Sequence, residues 1–128
     1  MKRVVGIGGI FIKSADPDRL KAWYRAHLGM DIEDWGGLAF KWDTPEQPAG
    51  DGATIWSVFA DTSPYFAPST AKFMVNCRVE NLTALLAVLK SEGCEVDEKT
   101  EESEFGKFGW VMDPDGNRIE LWEPPVVA

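Results

Sequence analysis

The sequence predicts an α+β protein built from two βαβββ modules, because one order of apolar patterns occurs twice within 128 residues. Each half opens with an apolar run typical of a strand, at residues 4–12 and 73–79. A helical pattern follows each run, and three shorter strand patterns follow each helix. Neither half has enough elements to cover its own sheet. We therefore expect the modules to pair in a single domain, residues 1–128.

Both predicted helices carry start and stop signals. The first begins after Asp16 and Pro17 and ends at Gly29, and the second begins after Asn81 and ends at Gly93. Apolar side chains recur at helical spacing within each helix, which predicts that these stripes pack on the sheet. The stripes are Leu20, Trp23, Tyr24 and Leu28 in the first helix and Leu82, Leu85, Leu86 and Leu89 in the second.

The shorter strands complete the two modules, at residues 1–60 and 72–125. In the first module they are predicted near 31–33, 38–42 and 54–59, and in the second near 95–97, 109–112 and 118–122. Residues 61–71, rich in Pro, Ser and Thr, form the predicted linker. Its Tyr65 and Phe66 either cover the mouth of the sheet or only join the two halves.

Alternation along the strands divides the side chains between two faces. One face, which includes Ile10, Val75 and Leu121, is apolar and is expected to lie under the helices. The other face mixes polar and aromatic residues, as expected for a curved sheet that forms a ligand-binding cup with the helices outside. Its predicted members are Gly9, Phe11, Thr54, Trp56, Val58, Met74, Asn76, Arg78, Arg118, Glu120 and Trp122.

Composition narrows the range of partners. Thirteen basic and 21 acidic residues give a net charge of −8, which disfavours nucleic acid. We expect no membrane association, because no apolar stretch approaches the roughly 20 residues of a membrane span and the first residues lead directly into a strand. Two cysteines do not form a disulfide framework, so a cytoplasmic location is expected.

Two segments resemble the vicinal oxygen chelate superfamily, which includes glyoxalase I, extradiol dioxygenases, and fosfomycin- and bleomycin-resistance proteins. They are the segment DPDGNRIELWEP at residues 113–124 and the pattern Leu-x-x-Trp-Tyr-x-x-x-Leu-Gly at residues 20–29. The resemblance covers essentially the whole chain and implies paired βαβββ modules. It also implies a homodimer, since the family often dimerises through its modules.

The resemblance also locates the family's usual metal ligands, which lie in the first and last strands of each module. The matching positions are Gly9, Trp56, Met74 and Glu120. Only Glu120 is a good ligand for a divalent ion such as Zn²⁺ or Fe²⁺, and such sites normally need three or four protein ligands. The single histidine, His27, lies on the first helix. We therefore expect a degenerate metal site without a metal or other cofactor.

Three functions remain open on these grounds. The first is a binding protein for a small organic molecule, similar to bleomycin-resistance proteins, with Glu120 anchoring a cationic group. The second is a lyase or isomerase in which Glu120 is a general base and Arg78 or Asn76 polarises a carbonyl. A metal-dependent glyoxalase or dioxygenase ranks third, and Glu120 in an ion pair with Arg78 or Arg118 is the purely structural alternative. The candidate ligand-binding residues are Phe11, Trp56, Met74, Asn76, Arg78 and Trp122.

Overall fold

The computed structural model describes residues 3–42 and 52–125, and their strands form one mixed eight-stranded sheet. Seven strands follow the spatial order β2-β3-β1-β4-β8-β7-β5, while β6 pairs with β7. The strands are β1 (Val4–Ser14), β2 (Gly37–Lys41), β3 (Ala53–Ala60), β4 (Phe73–Val79), β5 (Glu95–Val96), β6 (Glu101–Ser103), β7 (Gly106–Met112) and β8 (Arg118–Glu123). The helices are α1 (Pro17–Leu28) and α2 (Leu82–Ser91), and Pro64–Phe66 form a short 3₁₀ helix.

The two halves of the sheet join through β1 and β4, which pair antiparallel. On either side of this joint the next pair is parallel, β1 with β3 and β4 with β8. The sheet curls into a half-barrel, which confirms the predicted α+β architecture of a curved mixed sheet. The opening strands of both halves therefore lie next to each other at the centre of the sheet.

The predicted helix boundaries are confirmed. The Asp16 carboxylate accepts a hydrogen bond from the backbone N–H of Arg19, and the Asn81 side chain accepts one from the N–H of Ala84, both at 3.1 Å. Gly29 ends α1 in the left-handed conformation, at a φ of 64°. Neither α1 nor α2 has the length and continuous apolar character that a membrane-spanning helix requires.

The two helices differ in how deeply they pack. Helix α2 contributes most of one core cluster, in which its leucines meet β4 and β8; the buried members are Val79, Leu82, Leu85, Leu86 and Leu121. Helix α1 has no buried residue, and Trp23 is 51% exposed. The prediction that Trp23 and Leu28 pack on the sheet is therefore wrong, since Leu28 is 58% exposed as well. Tyr24 of the same stripe does meet the sheet, at Trp56.

Two details of the predicted strands are also wrong. Residues 31–33 have no strand structure; instead the N–H of Gly36 bonds to the Glu33 carbonyl and the N–H of Glu33 bonds to the Gly37 carbonyl, which forms a turn before β2. The second half also has a short strand, β6, which the strands predicted near 95–97, 109–112 and 118–122 did not include. Three charged or polar residues form β6, so its sequence lacks the apolar alternation that identifies a strand.

Candidate functional site

A cleft of about 680 Å³ lies on the face of the sheet opposite the helices, and we call it the cup. Side chains of five strands and of the turns before β2 and β7 form its wall. Apolar and aromatic groups dominate, with one carboxylate and one amide among them. The lining residues are Gly8, Phe11, Trp35, Ile55, Asn76, Phe105, Phe108, Glu120 and Trp122.

Glu120 is the charged residue of this wall, and it is almost fully buried, with 2% of its surface exposed. Two neighbouring strands place donors beside it, because β8 pairs Glu120 with Asn76 on β4 and with Trp110 on β7. The Asn76 amide donates to Oε1 at 2.6 Å, and the Trp110 indole donates to Oε2 at 3.0 Å. The third donor, the Tyr65 hydroxyl, comes from the 3₁₀ helix and bonds to Oε2.

All three donors are neutral, so they stabilise the charge of Glu120 without cancelling it. Burial raises the pKa of Glu120 above its ordinary value of 4.5, while the hydrogen bonds from Tyr65, Asn76 and Trp110 act in the opposite direction. Burial also raises the pKa of Tyr65 well above its ordinary range, and the negative charge of Glu120 adds to this effect. Tyr65 is therefore a neutral donor at physiological pH.

The ion pair that the sequence offered as the structural explanation of Glu120 is not found. Arg118 pairs with Asp97 at 3.0 Å, and its guanidinium lies 4.8 Å from the ring centre of Trp110. Among residues 3–42 and 52–125, none of the ion pairs includes Glu120. Within this part of the chain the carboxylate is hydrogen-bonded only by neutral donors, and the nearby Arg118 charge acts through space to lower its pKa.

Aromatic side chains form the rest of the cup. Phe108 and Trp122 lie on neighbouring strands with their rings nearly parallel and their centres 6.2 Å apart. At the rim, Trp35 and Phe105 lie in turns and are 56% and 66% exposed. Large apolar rings that face water at the mouth of a cleft are typical of a ligand-binding site.

The structure brings four predicted site residues together in the cup: Phe11, Asn76, Glu120 and Trp122. Met74 lies on the same face of the sheet but below the cup surface, 1% exposed. It packs in a second core cluster with Phe11, Phe66 and Trp110. Phe66 is itself completely buried, so this part of the linker packs against the sheet as well as connecting the halves.

Trp56 and Arg78 do not line the cup, which corrects the predicted orientation of Trp56 and the predicted place of Arg78. The register of β1 and β3 pairs Ile10 with Trp56, so Trp56 shares the helix-facing side of Ile10. Its ring centre lies 4.7 Å from that of Tyr24 on α1. The adjacent residue, Ile55, lines the cup in its place.

Arg78 lies one alternation beyond Asn76, near the end of β4. Its guanidinium is 5.6 Å from the ring centre of Trp42. Trp42 packs over Gly6, where any side chain would collide with the indole. This contact places Arg78 beside Trp42, which follows the end of β2, and Arg78 is not among the residues that line the cup.

The sequence did not single out Trp35, Phe105 or Phe108 as site residues. Trp35 and Phe105 lie in turns, to which strand alternation does not apply, and Phe108 lies before the residues predicted as strand. The hydrogen bond from Tyr65 to Glu120 joins residues 55 positions apart, so no local pattern indicates it. An aromatic residue in a turn next to glycine, as at Trp35 and Phe105, is a weak signal that would have suggested both.

The donor set around Glu120 does not fit a divalent metal. Residues 3–42 and 52–125 contain no cluster of three or more His, Cys, Asp or Glu side chains that could hold an ion. The groups that bond to the Glu120 oxygens are an amide, an indole and a phenol. Zn²⁺ or Fe²⁺ needs several histidine, thiolate or carboxylate ligands, which this site lacks among the described residues.

The fold and the cup define a protein with two pseudo-repeated halves around a central cleft. A family model described as the Glyoxalase/Bleomycin resistance protein/Dioxygenase superfamily matches residues 6–121. The chain belongs to this superfamily, which confirms the resemblance seen in its sequence. No curated protein matches the chain.

Solved structures of other proteins share the fold of this chain. Methylmalonyl-CoA epimerase from Mycobacterium tuberculosis is 23% identical, with a TM-score of 0.68 over 98% of this chain and 91% of that one. A Streptomyces coelicolor methylmalonyl-CoA epimerase variant in complex with 2-nitronate-propionyl-CoA is 17% identical, with a TM-score of 0.69 over 97% of both chains. A superfamily member from Vibrio splendidus is 10% identical, with a TM-score of 0.59 over 92% of this chain and 97% of that one.

Proposed function

We propose that this protein binds a small organic molecule in the cup without using a metal. The ligand places an apolar, preferably aromatic, body against the aromatic wall and a polar group at Glu120. One observation carries the proposal: a buried carboxylate, held by three neutral donors, lies in the wall of an otherwise apolar cleft of about 680 Å³. Burying a charge is costly, so a ligand group that interacts with it contributes both affinity and orientation.

The aromatic wall supplies the remaining affinity. Removing 100 Å² of apolar surface from water stabilises a complex by about 2.5 kcal/mol. The exposed rings of Trp35 and Phe105 stand at the rim on opposite halves of the chain, so a bound ligand removes surface from both. Aromatic contacts of this kind accept a range of flat ligands, because every such ligand has an apolar face.

A second candidate is an isomerase or lyase in which Glu120 is the general base. The raised pKa of Glu120 favours it, since a base works best when its pKa approaches the working pH. The same enzyme needs a donor that stabilises the enolate oxygen formed when a proton leaves a carbon next to a carbonyl. The sequence suggested Asn76 or Arg78 for this role, but the Asn76 amide donates to Glu120 and Arg78 lies beside Trp42. Binding therefore ranks above catalysis.

Thermal-shift and tryptophan-fluorescence screening of aromatic small molecules tests the binding proposal. Replacing Trp35 with Ala removes an exposed ring at the rim of the cup. Replacing Trp23 with Ala is the matched control, because Trp23 is 51% exposed on α1, away from the cup. We expect ligands of the wild type to lose affinity in Trp35→Ala and keep it in Trp23→Ala. Equal loss in both variants, or no ligand at all, would refute the proposal.

Proton exchange tests the second candidate separately. Small carbonyl compounds incubated with the protein in D₂O exchange the hydrogen next to the carbonyl if Glu120 acts as a base, which NMR detects. The catalytic hypothesis predicts exchange with the wild type and none with Glu120→Gln. Exchange that survives this substitution would show that another group is the base.

We also propose a homodimer, a cytoplasmic location and the absence of a nucleic-acid partner. The homodimer is proposed because members of the superfamily often dimerise through their modules. The net charge of −8 disfavours nucleic acid, and the two free cysteines favour a cytoplasmic location. Light scattering coupled to size-exclusion chromatography measures the mass. A mass of 14.2 kDa at all concentrations would contradict the dimer.

A further inference from the structure

The remaining hydrogen-bonding capacity of Glu120 lies on one oxygen. A carboxylate has about four lone-pair positions. Oε2 accepts from both Tyr65 and Trp110, whereas Oε1 accepts only from Asn76. Oε1 therefore keeps one position for a further donor, and this atom belongs to a residue that lines the cup.

A second acceptor lies beside Glu120. Asn76 is 2% exposed, and its carbonyl oxygen Oδ1 has no hydrogen-bond partner among the described residues. This oxygen lies against Gly8, where a methyl group would collide with it. Gly8 and Asn76 both line the cup, so the acceptor lies at the cup wall next to Glu120. A buried amide oxygen without a donor is destabilising, and a ligand N–H that bonds to it removes this cost.

The side-chain nitrogen atoms of the cup wall, in contrast, already donate within the protein. The Trp35 indole donates to the Glu33 carboxylate at 2.7 Å, and the Trp122 indole donates to the Phe105 carbonyl at 2.8 Å. The Asn76 amide donates to Glu120. Among the described residues, the wall therefore offers two neighbouring side-chain acceptors, one of them charged, while each of its side-chain nitrogens has an acceptor.

From this arrangement we propose that the cup selects cationic ligands whose head group carries at least two N–H bonds, such as an amidinium or a primary ammonium, attached to an aromatic body. This inference rests on the proposed binding function and names the ligand class. One N–H bonds to Oε1 of Glu120, and a second bonds to Oδ1 of Asn76. The head group thereby neutralises the buried carboxylate and satisfies both acceptors.

Charge and hydrogen-bonding capacity together exclude the nearest alternative classes of ligand, which are anions and quaternary ammonium ions. A carboxylate or phosphate ligand would place a second negative charge beside Glu120 in an apolar cleft. A quaternary ammonium carries the right charge but has no N–H, so it would leave Oδ1 of Asn76 without a donor and the remaining position of Oε1 unfilled. The net charge of −8 favours the approach of any cation, so it does not distinguish the two cationic classes.

Three probes with one naphthalene body test the selection: 2-naphthamidinium, trimethyl(2-naphthyl)ammonium and 2-naphthoate. Calorimetry of the wild-type protein gives the three dissociation constants. We expect the amidinium to bind at least about tenfold more tightly than the quaternary ammonium, because a hydrogen bond to a charged group is worth about 1.5–3 kcal/mol. We expect no saturable binding of the naphthoate.

The outcomes separate this inference from the proposed function. Equal affinity for the amidinium and the quaternary ammonium, or tighter binding of the naphthoate, would overturn the inference and leave small-molecule binding intact. Absence of saturable amidinium binding would also overturn the inference, while the separate screen of aromatic small molecules decides the proposed function. These measurements need no variant, so they do not depend on whether a substituted protein folds.

Substitution of Glu120 then locates the head group. Glu120→Gln removes the charge, and we expect it to weaken amidinium binding at least about tenfold. The matched control is Glu102→Gln, the same chemical change on the exposed strand β6, for which unchanged affinity is expected. Unchanged amidinium affinity in a folded Glu120→Gln protein would place the head group elsewhere and refute the inference.

Discussion

The charge state of Glu120 gives a prediction about stability and pH. Burial raises the pKa of this carboxyl in the folded protein above 4.5, its ordinary value. Between 4.5 and the folded pKa, the folded state therefore binds more protons than the unfolded state. The contribution of Glu120 to stability is largest at low pH and declines as pH rises through this window. Above the folded pKa it is constant again.

Comparison with Glu120→Gln isolates this contribution, because all other titrating groups are common to both proteins. Each unit by which the folded pKa exceeds the unfolded value lowers the relative stability of the wild type by about 1.4 kcal/mol above that window. The glutamine also turns a donor toward one of the former donors, such as the Trp110 indole. That mismatch costs about 1–3 kcal/mol, and it adds an offset that does not depend on pH.

Urea unfolding followed by tryptophan fluorescence, at intervals from pH 4 to pH 9, measures the difference in unfolding free energy between wild type and variant. We expect the difference, wild type minus variant, to fall as pH rises above 4.5 and then to level off. Glu102→Gln on the exposed β6 strand shows what the loss of a carboxylate outside the cup does. A difference that rises with pH would mean that the three hydrogen bonds outweigh burial, and the reasoning would be refuted.

Five further substitutions test the packing of the sheet, its linker and its helices. Tyr65→Phe removes a hydrogen bond to a buried carboxylate and should lower the unfolding free energy by about 1–3 kcal/mol; no loss would show that water replaces the hydroxyl. Gly106→Ala should destabilise the protein more than Gly116→Ala. Gly106 has a φ of 115°, and a methyl group there would collide with the backbone of β8. Gly116 has a φ of 83° in open space, so alanine there should cost roughly 1–2 kcal/mol. Leu86→Ala in the α2 core should cost about 2–5 kcal/mol, whereas Leu28→Ala, 58% exposed on α1, should change stability by about 0.5 kcal/mol or less. Chemical denaturation measures all of these, and an order other than the stated one would contradict the corresponding packing argument.

The sequence predicted much of the fold because its signals are local. The caps at Asp16 and Asn81 and the left-handed glycines at residues 29 and 93 act within one helical turn. Strand alternation correctly placed Phe11, Asn76 and Glu120 on one face, since side chains two residues apart in a strand share a side. The strand predicted near residues 31–33 is wrong, because the short apolar–acidic pattern there fits both a strand and the segment that leads into the turn at residues 33–37.

The candidate site was only partly predictable. Alternation gives the relative orientation of residues within one strand, but the pairing register between strands decides which set faces the cup. That register turned Trp56 toward Tyr24 on α1 and placed Ile55 in the cup. Similarly, the guanidinium of Arg78 lies over the ring of Trp42. The sequence could not predict this contact, because it depends on where the end of β2 lies in the folded protein.

The sequence alone determined that two repeated halves build one sheet, where the helices start and end, and that a carboxylate, Glu120, lies in the interior of the last strand. These features follow from spacing and from caps, which act over a few residues. Only the tertiary structure decided that Tyr65, Asn76 and Trp110 all donate to Glu120, and which acceptors of the cup stay available. Those groups lie on three different elements, so the folded sheet and its linker must form before their hydrogen bonds exist.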